Sequence, residues 1–137
     1  MEPSPLSRFI LGMGHSAMQR TILVVEDELF IRMSAVATLG DAGFFVLEAK
    51  DSLEALAVLA RHPQTNVLMT DVRMPGPMDG LALIARVQID HPAIRSIVVS
   101  GNASAEQARN AGAVGFVAKP YLAKTIVQAV HDTVLRH

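Results

Sequence analysis

Five polar side chains in this sequence are of the types that handle phosphate, and each lies next to a short apolar run. They are the acids Glu26, Asp27 and Asp71, the hydroxyl of Ser100 and the amine of Lys119. If the apolar runs are parallel strands, these side chains meet at the carboxyl edge of one sheet, where open α/β sheets bind ligands. The spacing therefore predicts a phosphate-handling site assembled from nearly the whole chain.

Three carboxylates gathered at one place repel one another. At about 4 Å, with an effective dielectric constant near 20, each pair costs about 4 kcal/mol. A hard divalent ion with oxygen ligands, Mg²⁺ being the first choice, relieves this repulsion and can also hold a phosphoryl oxygen. One acid after a strand is more often a solvated loop residue, but three acids that converge with an amine and a hydroxyl favour a metal site.

Within this cluster Asp71 is the candidate nucleophile, because carboxylates can form acyl-phosphate intermediates. Lys119 is expected to pair with that carboxylate at rest and with the phosphoryl group afterwards. Ser100 can donate one hydrogen bond to a phosphoryl oxygen. Taken alone, Ser100 would be read as a helix cap and Lys119 as a solvated residue before proline, so their assignment depends on the convergence.

The rest of the chain has the alternation that such a site requires. From Thr21 onward, five β-branched runs alternate with five amphipathic stretches of helical length, which indicates βαβ units and a parallel sheet. The first, third and fourth runs are continuously apolar, as expected of strands covered on both faces. Strands are expected near 21–26, 44–49, 66–70, 94–99 and 114–118.

The helices between these strands differ in how much apolar surface they offer. In the second helix, which begins at Asp51 with Glu54 as its capping-box partner, the predicted buried stripe is Leu53, Leu56, Ala57 and Ala60. The fifth helix is expected to bury a stripe that begins at Leu122. The fourth offers only alanines between Ala103 and Ala111, so it should be among the easiest segments to shift.

Length and composition limit the function classes. A chain of 137 residues fits one domain with a single core, taken as 20–137, after a flexible N-terminal extension at 1–19. The absence of cysteine and of any apolar stretch long enough to cross a membrane favours a cytosolic protein. A formal net charge of −1 gives no general attraction to nucleic acid, so no direct nucleic-acid binding is expected.

Four motifs resemble the signature of the receiver domains of bacterial two-component response regulators, over about residues 21–136. They are Val24-Val-Glu-Asp-Glu28, Thr70-Asp-Val-Arg-Met-Pro75 with Asp79-Gly80, Val99-Ser100 and Ala118-Lys-Pro120. The resemblance implies an α/β, flavodoxin-like (βα)5 fold. In that fold a doubly wound, parallel five-stranded sheet has the order 2-1-3-4-5 and its switch point lies between strands one and three.

The resemblance also implies a role for each site residue. Asp71 would be the phospho-acceptor, Ser100 the switch hydroxyl and Lys119 the phosphate-pairing lysine, with a cis bond to Pro120. Phe116 matches an aromatic rotamer switch, although the residues alone equally allow a core aromatic of the last strand. The implied Mg²⁺ ligands are Glu26, Asp27, Asp71 and the backbone carbonyl of Arg73.

The function implied is that of a stand-alone receiver, because no output domain fits after residue 137. It would take a phosphoryl group from a sensor histidine kinase or a histidine phosphotransfer protein, catalysing its own modification without being a conventional enzyme. A surface of the fourth helix, fifth strand and fifth helix would then bind a downstream protein target, and is also a candidate homodimer surface.

Two alternatives stay open. The first is a receiver-like binding module that ignores phosphate. The second is an Asp-nucleophile phosphohydrolase, a class that has a second acid two residues after the nucleophile, where this sequence has Arg73.

Two departures from the family pattern also bear on function. Three residues, not two, separate Pro75 from Asp79, and Arg73 and Asn102 occupy the positions that, in the family, tune the lifetime of the acyl phosphate.

Overall fold

The computed structural model describes residues 19–135, which form five strands that alternate with five helices. Every predicted strand is present, with its ends within one residue of the expected position. The extension predicted for residues 1–19 lies outside the described residues apart from Gln19. The elements are β1 (Thr21–Val25), α1 (Leu29–Asp41), β2 (Phe45–Ala49), α2 (Ser52–Arg61), β3 (Val67–Thr70), α3 (Gly80–Asp90), β4 (Arg95–Ser100), α4 (Ala105–Ala111), β5 (Gly115–Ala118) and α5 (Ala123–Leu135).

The strands form one parallel sheet in the order β2-β1-β3-β4-β5, which confirms the predicted topology. The chain goes from β1 to one neighbour, β2, and then crosses to β3 on the other side. In the register of β1 with β3, Val25 lies opposite Thr70. The residues that follow these two positions, Glu26 and Asp71, are therefore neighbours at the switch point.

Alternate residues of the central strands enter two separate cores, one on each face of the sheet. On one face, Leu23 and Val25 pack with buried side chains of α2, α3 and α4. On the other face, Ile22 and Val24 pack with α1 and α5. The burial of β1, β3 and β4 on both faces explains their continuous apolar sequences. In α4 the one buried residue is Ala108, as the alanine-only segment predicted.

The predicted buried stripe of α2 is wrong, and so is the first residue predicted for the stripe of α5, whose other main positions, Ile126, Val130 and Thr133, are buried. The buried residues of α2 are Ser52, Ala55, Val58 and Leu59, whereas Leu53 is 57% exposed, Ala57 and Ala60 are exposed and Leu56 is half-buried. The helix carries apolar residues around most of its circumference, so periodicity alone could not fix which stripe faces the sheet. Leu122, predicted to begin the buried stripe of the fifth helix, precedes α5 and is 63% exposed.

Local capping signals fix where the helices begin and end. Ser104 and Gln107 form the reciprocal capping box that opens α4, and Gly112 ends it in the left-handed region, with φ of 110°. At α2, Asp51 accepts from the Glu54 N–H at 2.8 Å, but the Glu54 side chain accepts from the Lys50 N–H at 2.7 Å. The predicted capping box there is displaced by one residue.

None of the helices within residues 19–135 has the length and apolar character needed to cross a bilayer. The cytosolic location expected from the sequence stays a prediction.

Candidate functional site

Three acids meet where β1 and β3 end. Each of Glu26, Asp27 and Asp71 offers a carboxylate oxygen, and these oxygens lie within 4.8 Å of one another. The Asp71 N–H donates to the Val25 carbonyl at 3.1 Å, which continues the pairing of the two strands up to the site. Glu26 is buried, Asp71 is half-buried and Asp27 is exposed, so the cluster opens to solvent on the Asp27 side.

The ammonium group of Lys119 lies between two of these acids. Its Nζ is 3.0 Å from Asp71 Oδ2, the partner expected from the sequence, and 2.6 Å from Glu26 Oε1, which the sequence did not indicate. Lys119 follows β5, and its N–H donates to the Ser100 carbonyl at 3.0 Å. The peptide bond from Lys119 to Pro120 is cis, as the family resemblance implied.

Burial and charge act in opposite directions on this group of side chains. Burial raises the pKa of Glu26, although hydrogen bonds from the Lys119 ammonium and the Glu28 N–H partly oppose the shift. For Lys119, burial lowers the pKa, but the hydrogen bonds and charges of Glu26 and Asp71 outweigh it, so the pKa is raised overall. Burial also raises the pKa of the neighbouring Tyr121. Lys119 is therefore a cation throughout the neutral range.

The donor set fits a hard divalent cation. All three carboxylates are oxygen ligands, and the single ammonium leaves two of their negative charges without compensation. Mg²⁺ and similar ions prefer such ligands and supply the missing charge. Arg73, whose carbonyl was predicted as a further ligand, lies in the exposed loop two residues after Asp71; its role stays a prediction.

Main-chain contacts hold Asp71 in place from several directions. Its Oδ1 accepts from the Val72 N–H at 2.7 Å, and its carbonyl accepts from the Thr70 hydroxyl at 2.8 Å. Gly80, the first residue of α3, donates its N–H to the Val72 carbonyl at 2.8 Å. A Cβ on Gly80 would lie 1.8 Å from the Asp71 carbonyl oxygen, so this close approach requires glycine. The sequence motif contained Gly80 but gave no sign of this steric role.

The loop between Asp71 and α3 contains the extra residue noted in the sequence. Gly76, which lies between Pro75 and Pro77, has φ of 106°, in the left-handed region that favours glycine. The rings of the two prolines fix their φ angles and so restrict the conformations of this loop beside Asp71.

Ser100 is buried at the end of β4, but its hydroxyl faces its own loop. The Oγ accepts from the backbone N–H groups of Asn102 at 3.0 Å and Ala103 at 2.9 Å. At Gly101, an added Cβ would meet one described atom within 4 Å, Lys119 Cβ at 3.8 Å, so the space beside Ser100 is open. Phe116, on β5, is half-buried and packs against the core that contains α4. Both predicted switch residues are thus on the side of the site nearest α4.

Sequence reasoning missed Arg32. This residue of α1 donates from Nη1 to the Glu26 carbonyl at 2.8 Å and from Nε to the Glu48 carboxylate of β2 at 2.9 Å. From sequence alone, an arginine on the first turn of an amphipathic helix is interpreted as a solvated surface residue. Its two contacts depend on the packing of α1 against the sheet, which no local pattern reports.

Comparison with known proteins gives a consistent result. A family profile described as the response regulator receiver domain matches residues 22–131. Similar curated proteins include the sensor kinase CckA of Brucella abortus, 37% identical over 116 residues, and the C4-dicarboxylate transport transcriptional regulatory protein DctD of Rhizobium meliloti, 36% identical over 112 residues. These matches cover 82% and 80% of this chain but 12% and 24% of those proteins, so the chain spans a quarter or less of their length.

Solved structures agree over most of both chains. The receiver domain of NtrX from Brucella abortus is 30% identical, with a TM-score of 0.77, over 85% of this chain and 99% of that one. The chemotaxis response regulator CheY4 of Vibrio cholerae is 28% identical, with a TM-score of 0.76, over 84% of this chain and 98% of that one.

Proposed function

The chain belongs to the family of response regulator receiver domains of two-component systems, and from this premise we propose that Asp71 accepts a phosphoryl group from a phosphohistidine. The donor would be a sensor histidine kinase or a histidine phosphotransfer protein. The observation that carries the proposal is the position of the Asp71 carboxylate, which is paired with the Lys119 ammonium inside a cluster of three acids.

In the transfer, a carboxylate oxygen of Asp71 attacks the phosphorus atom and the bond from phosphorus to the donor imidazole nitrogen breaks. The imidazole leaves with the electron pair of that bond, and the product on Asp71 is an acyl phosphate. Lys119 already lies at hydrogen-bonding distance from Asp71, so its ammonium can follow the added negative charge without a large movement. A Mg²⁺ ion held by Glu26, Asp27, Asp71 and the Arg73 carbonyl would neutralise charge on the phosphoryl oxygens.

The surroundings of the acceptor support a protein donor. Phe30 is 81% exposed and lines a surface pocket together with Lys119, Pro120 and Tyr121. Leu122, also exposed, follows directly along the chain. Apolar side chains that are exposed around a charged site are typical of a surface that another protein covers. We propose that the phosphohistidine-bearing protein contacts this surface while its imidazole reaches Asp71.

The proposed response begins at Ser100. To donate its proton to a phosphoryl oxygen, the hydroxyl would leave the N–H groups of Asn102 and Ala103, which lead into α4. Phe116 would then turn into the space that Ser100 vacates. The surface formed by α4, β5 and α5 would change and bind a downstream protein or a second copy of the chain. Stand-alone action stays a prediction, because the curated relatives are longer proteins.

The test is intact-protein mass spectrometry after incubation with acetyl phosphate and Mg²⁺. The native chain is expected to gain about 80 Da, one phosphoryl group, and Asp71→Asn is expected to gain nothing. Asp90→Asn is the matched control, since Asp90 pairs with Arg86 on the exposed face of α3, away from the acid cluster. An adduct of equal yield in Asp71→Asn would refute the assignment of the acceptor.

A further inference from the structure

Arg32 places a positive charge beside the acids that the proposed function assigns to Mg²⁺. Its Nη1 is bonded to the carbonyl of Glu26, at 2.8 Å, and that carbonyl belongs to the peptide that leads into Asp27. The guanidinium thus binds the peptide group that joins Glu26 to Asp27, two of the three clustered acids. Its side chain is 15% exposed, so it is largely shielded from solvent.

Glu48 determines where that charge points. The register of the sheet places Glu48 of β2 opposite Val24 of β1, and its Oε1 accepts from Arg32 Nε at 2.9 Å. With Glu48 in place, one side of the guanidinium is held on a carboxylate outside the acid cluster and another on a main-chain oxygen. Without Glu48, the Nε donor would lose its carboxylate partner, and the guanidinium could turn from the Glu26 carbonyl to the carboxylates of Glu26 and Asp27, which are stronger acceptors than a carbonyl.

We propose that Glu48 is a positioning residue for the metal site: it holds Arg32 on the Glu26 carbonyl and so keeps an arginine from competing with the divalent cation for Glu26 and Asp27. The inference rests on the proposed function in one respect, that this acid cluster binds Mg²⁺. It does not depend on phosphorylation of Asp71.

The exposure of the Arg32–Glu48 ion pair allows the proposed effect of Glu48 on metal binding to be distinguished from an effect on the stability of the fold. Glu48 is 51% exposed in the ion pair, and such surface pairs contribute little to folding. Replacing Glu48 should therefore leave the unfolding transition close to that of the native chain. By contrast, replacing a residue that orients a metal ligand typically lowers metal affinity by about 10- to 100-fold. Because Glu48 acts through Arg32, we expect an effect near the lower end, about tenfold.

The experiment is a double-mutant cycle read by isothermal titration calorimetry with MgCl2 alone. Glu48→Gln is expected to weaken Mg²⁺ binding about tenfold. In the Arg32→Met background, the same Glu48→Gln change is expected to have no effect, because the competing guanidinium is gone. A Kd for Glu48→Gln within about twofold of native, or an equal loss with and without Arg32, would overturn the proposal. If Arg32→Met does not fold, Arg32→Gln completes the cycle.

Two controls separate the possible failures. Asp90→Asn removes one negative charge from the exposed Arg86–Asp90 pair of α3 and should leave Mg²⁺ affinity unchanged; a tenfold loss there would mean that net charge, not Arg32, is responsible. If the native chain binds no Mg²⁺, the metal part of the proposed function fails as well. If the native chain binds Mg²⁺ and Glu48→Gln binds it equally well, only the role of Glu48 is refuted.

Discussion

Replacing Gly80 with alanine should both destabilise the fold and disturb the phospho-acceptor. The added Cβ would lie 1.8 Å from the Asp71 carbonyl oxygen, 2.8 Å from the Asp71 carbonyl carbon and 2.9 Å from Val72 Cα. All three atoms belong to the backbone, so no side chain can turn away to relieve the contact. Either α3 must withdraw from β3 or the Asp71 peptide must move.

The expected size of the effect follows from opposing contributions. Overpacking of this kind costs about 1–3 kcal/mol, and withdrawal of α3 would also lose the hydrogen bond from the Gly80 N–H to the Val72 carbonyl, about 1 kcal/mol. Against this, alanine favours the helix by at most about 1 kcal/mol. Because the lost hydrogen bond and the alanine gain roughly cancel, we expect a net loss of about 1–3 kcal/mol in the free energy of unfolding, together with slower phosphorylation of Asp71.

Gly40→Ala is the matched control, because it makes the same chemical change in a different setting. Gly40 lies in the last turn of α1, and a Cβ there would meet no described atom within 4 Å. The substitution should stabilise the protein by a few tenths of a kcal/mol up to about 1 kcal/mol. Urea unfolding followed by circular dichroism measures both variants. If Gly80→Ala were as stable as Gly40→Ala, the steric argument for this glycine would be wrong.

Three further predictions address the core, the cation and the switch. Ser96 Oγ is buried without a hydrogen-bond partner among residues 19–135, so Ser96→Ala should raise the free energy of unfolding by about 1 kcal/mol. The measurement is the midpoint of urea unfolding, and a lower midpoint than that of the native chain contradicts this. Because burial raises the pKa of Glu26, protons should begin to weaken Mg²⁺ binding at a higher pH than they would for an exposed glutamate. Calorimetry across a pH series measures this, and a Mg²⁺ affinity that does not change as the pH falls to the ordinary glutamate pKa would contradict it. Beryllofluoride with Mg²⁺ should shift the NMR signals of α4 and Phe116, and less so in Ser100→Ala; an unchanged spectrum favours the phosphate-independent binding module.

The strands could be predicted from local signals, whereas their order was implied by the family resemblance. A run such as Ile22–Val25 is apolar at every position, as expected of a strand buried on both faces, and the parallel arrangement then places the following residues at one edge. The face of α2 could not be predicted, since Leu53 and Leu59 are equally apolar and only contact with the sheet distinguishes them. Burial of Leu59 and exposure of Leu53 are properties of the assembled fold.

The positions in the site and the pairing of Lys119 with Asp71 were predictable, but the pairing of Lys119 with Glu26 was not. Lys119 and Glu26 are separated by 93 residues in the chain and their contact at 2.6 Å is closer than the contact with Asp71. Arg32 and Glu48 come together for the same reason, across the packing of α1 on β2. Residue types show which groups can form ion pairs, while the register of strands and the rotation of helices decide which of them do.

Ser100 links the acceptor to the helix that is held by the fewest buried side chains. Its carbonyl accepts from the Lys119 N–H, and its hydroxyl accepts from Asn102 and Ala103, just before α4, whose one buried residue is Ala108. Releasing two such hydrogen bonds costs about 1–3 kcal/mol, and a hydrogen bond to a charged phosphoryl oxygen returns about 1.5–3 kcal/mol. Under the proposed function the hydrogen bond to the phosphoryl group therefore roughly offsets the two that are released, so gain of one phosphoryl group shifts the populations toward the second arrangement.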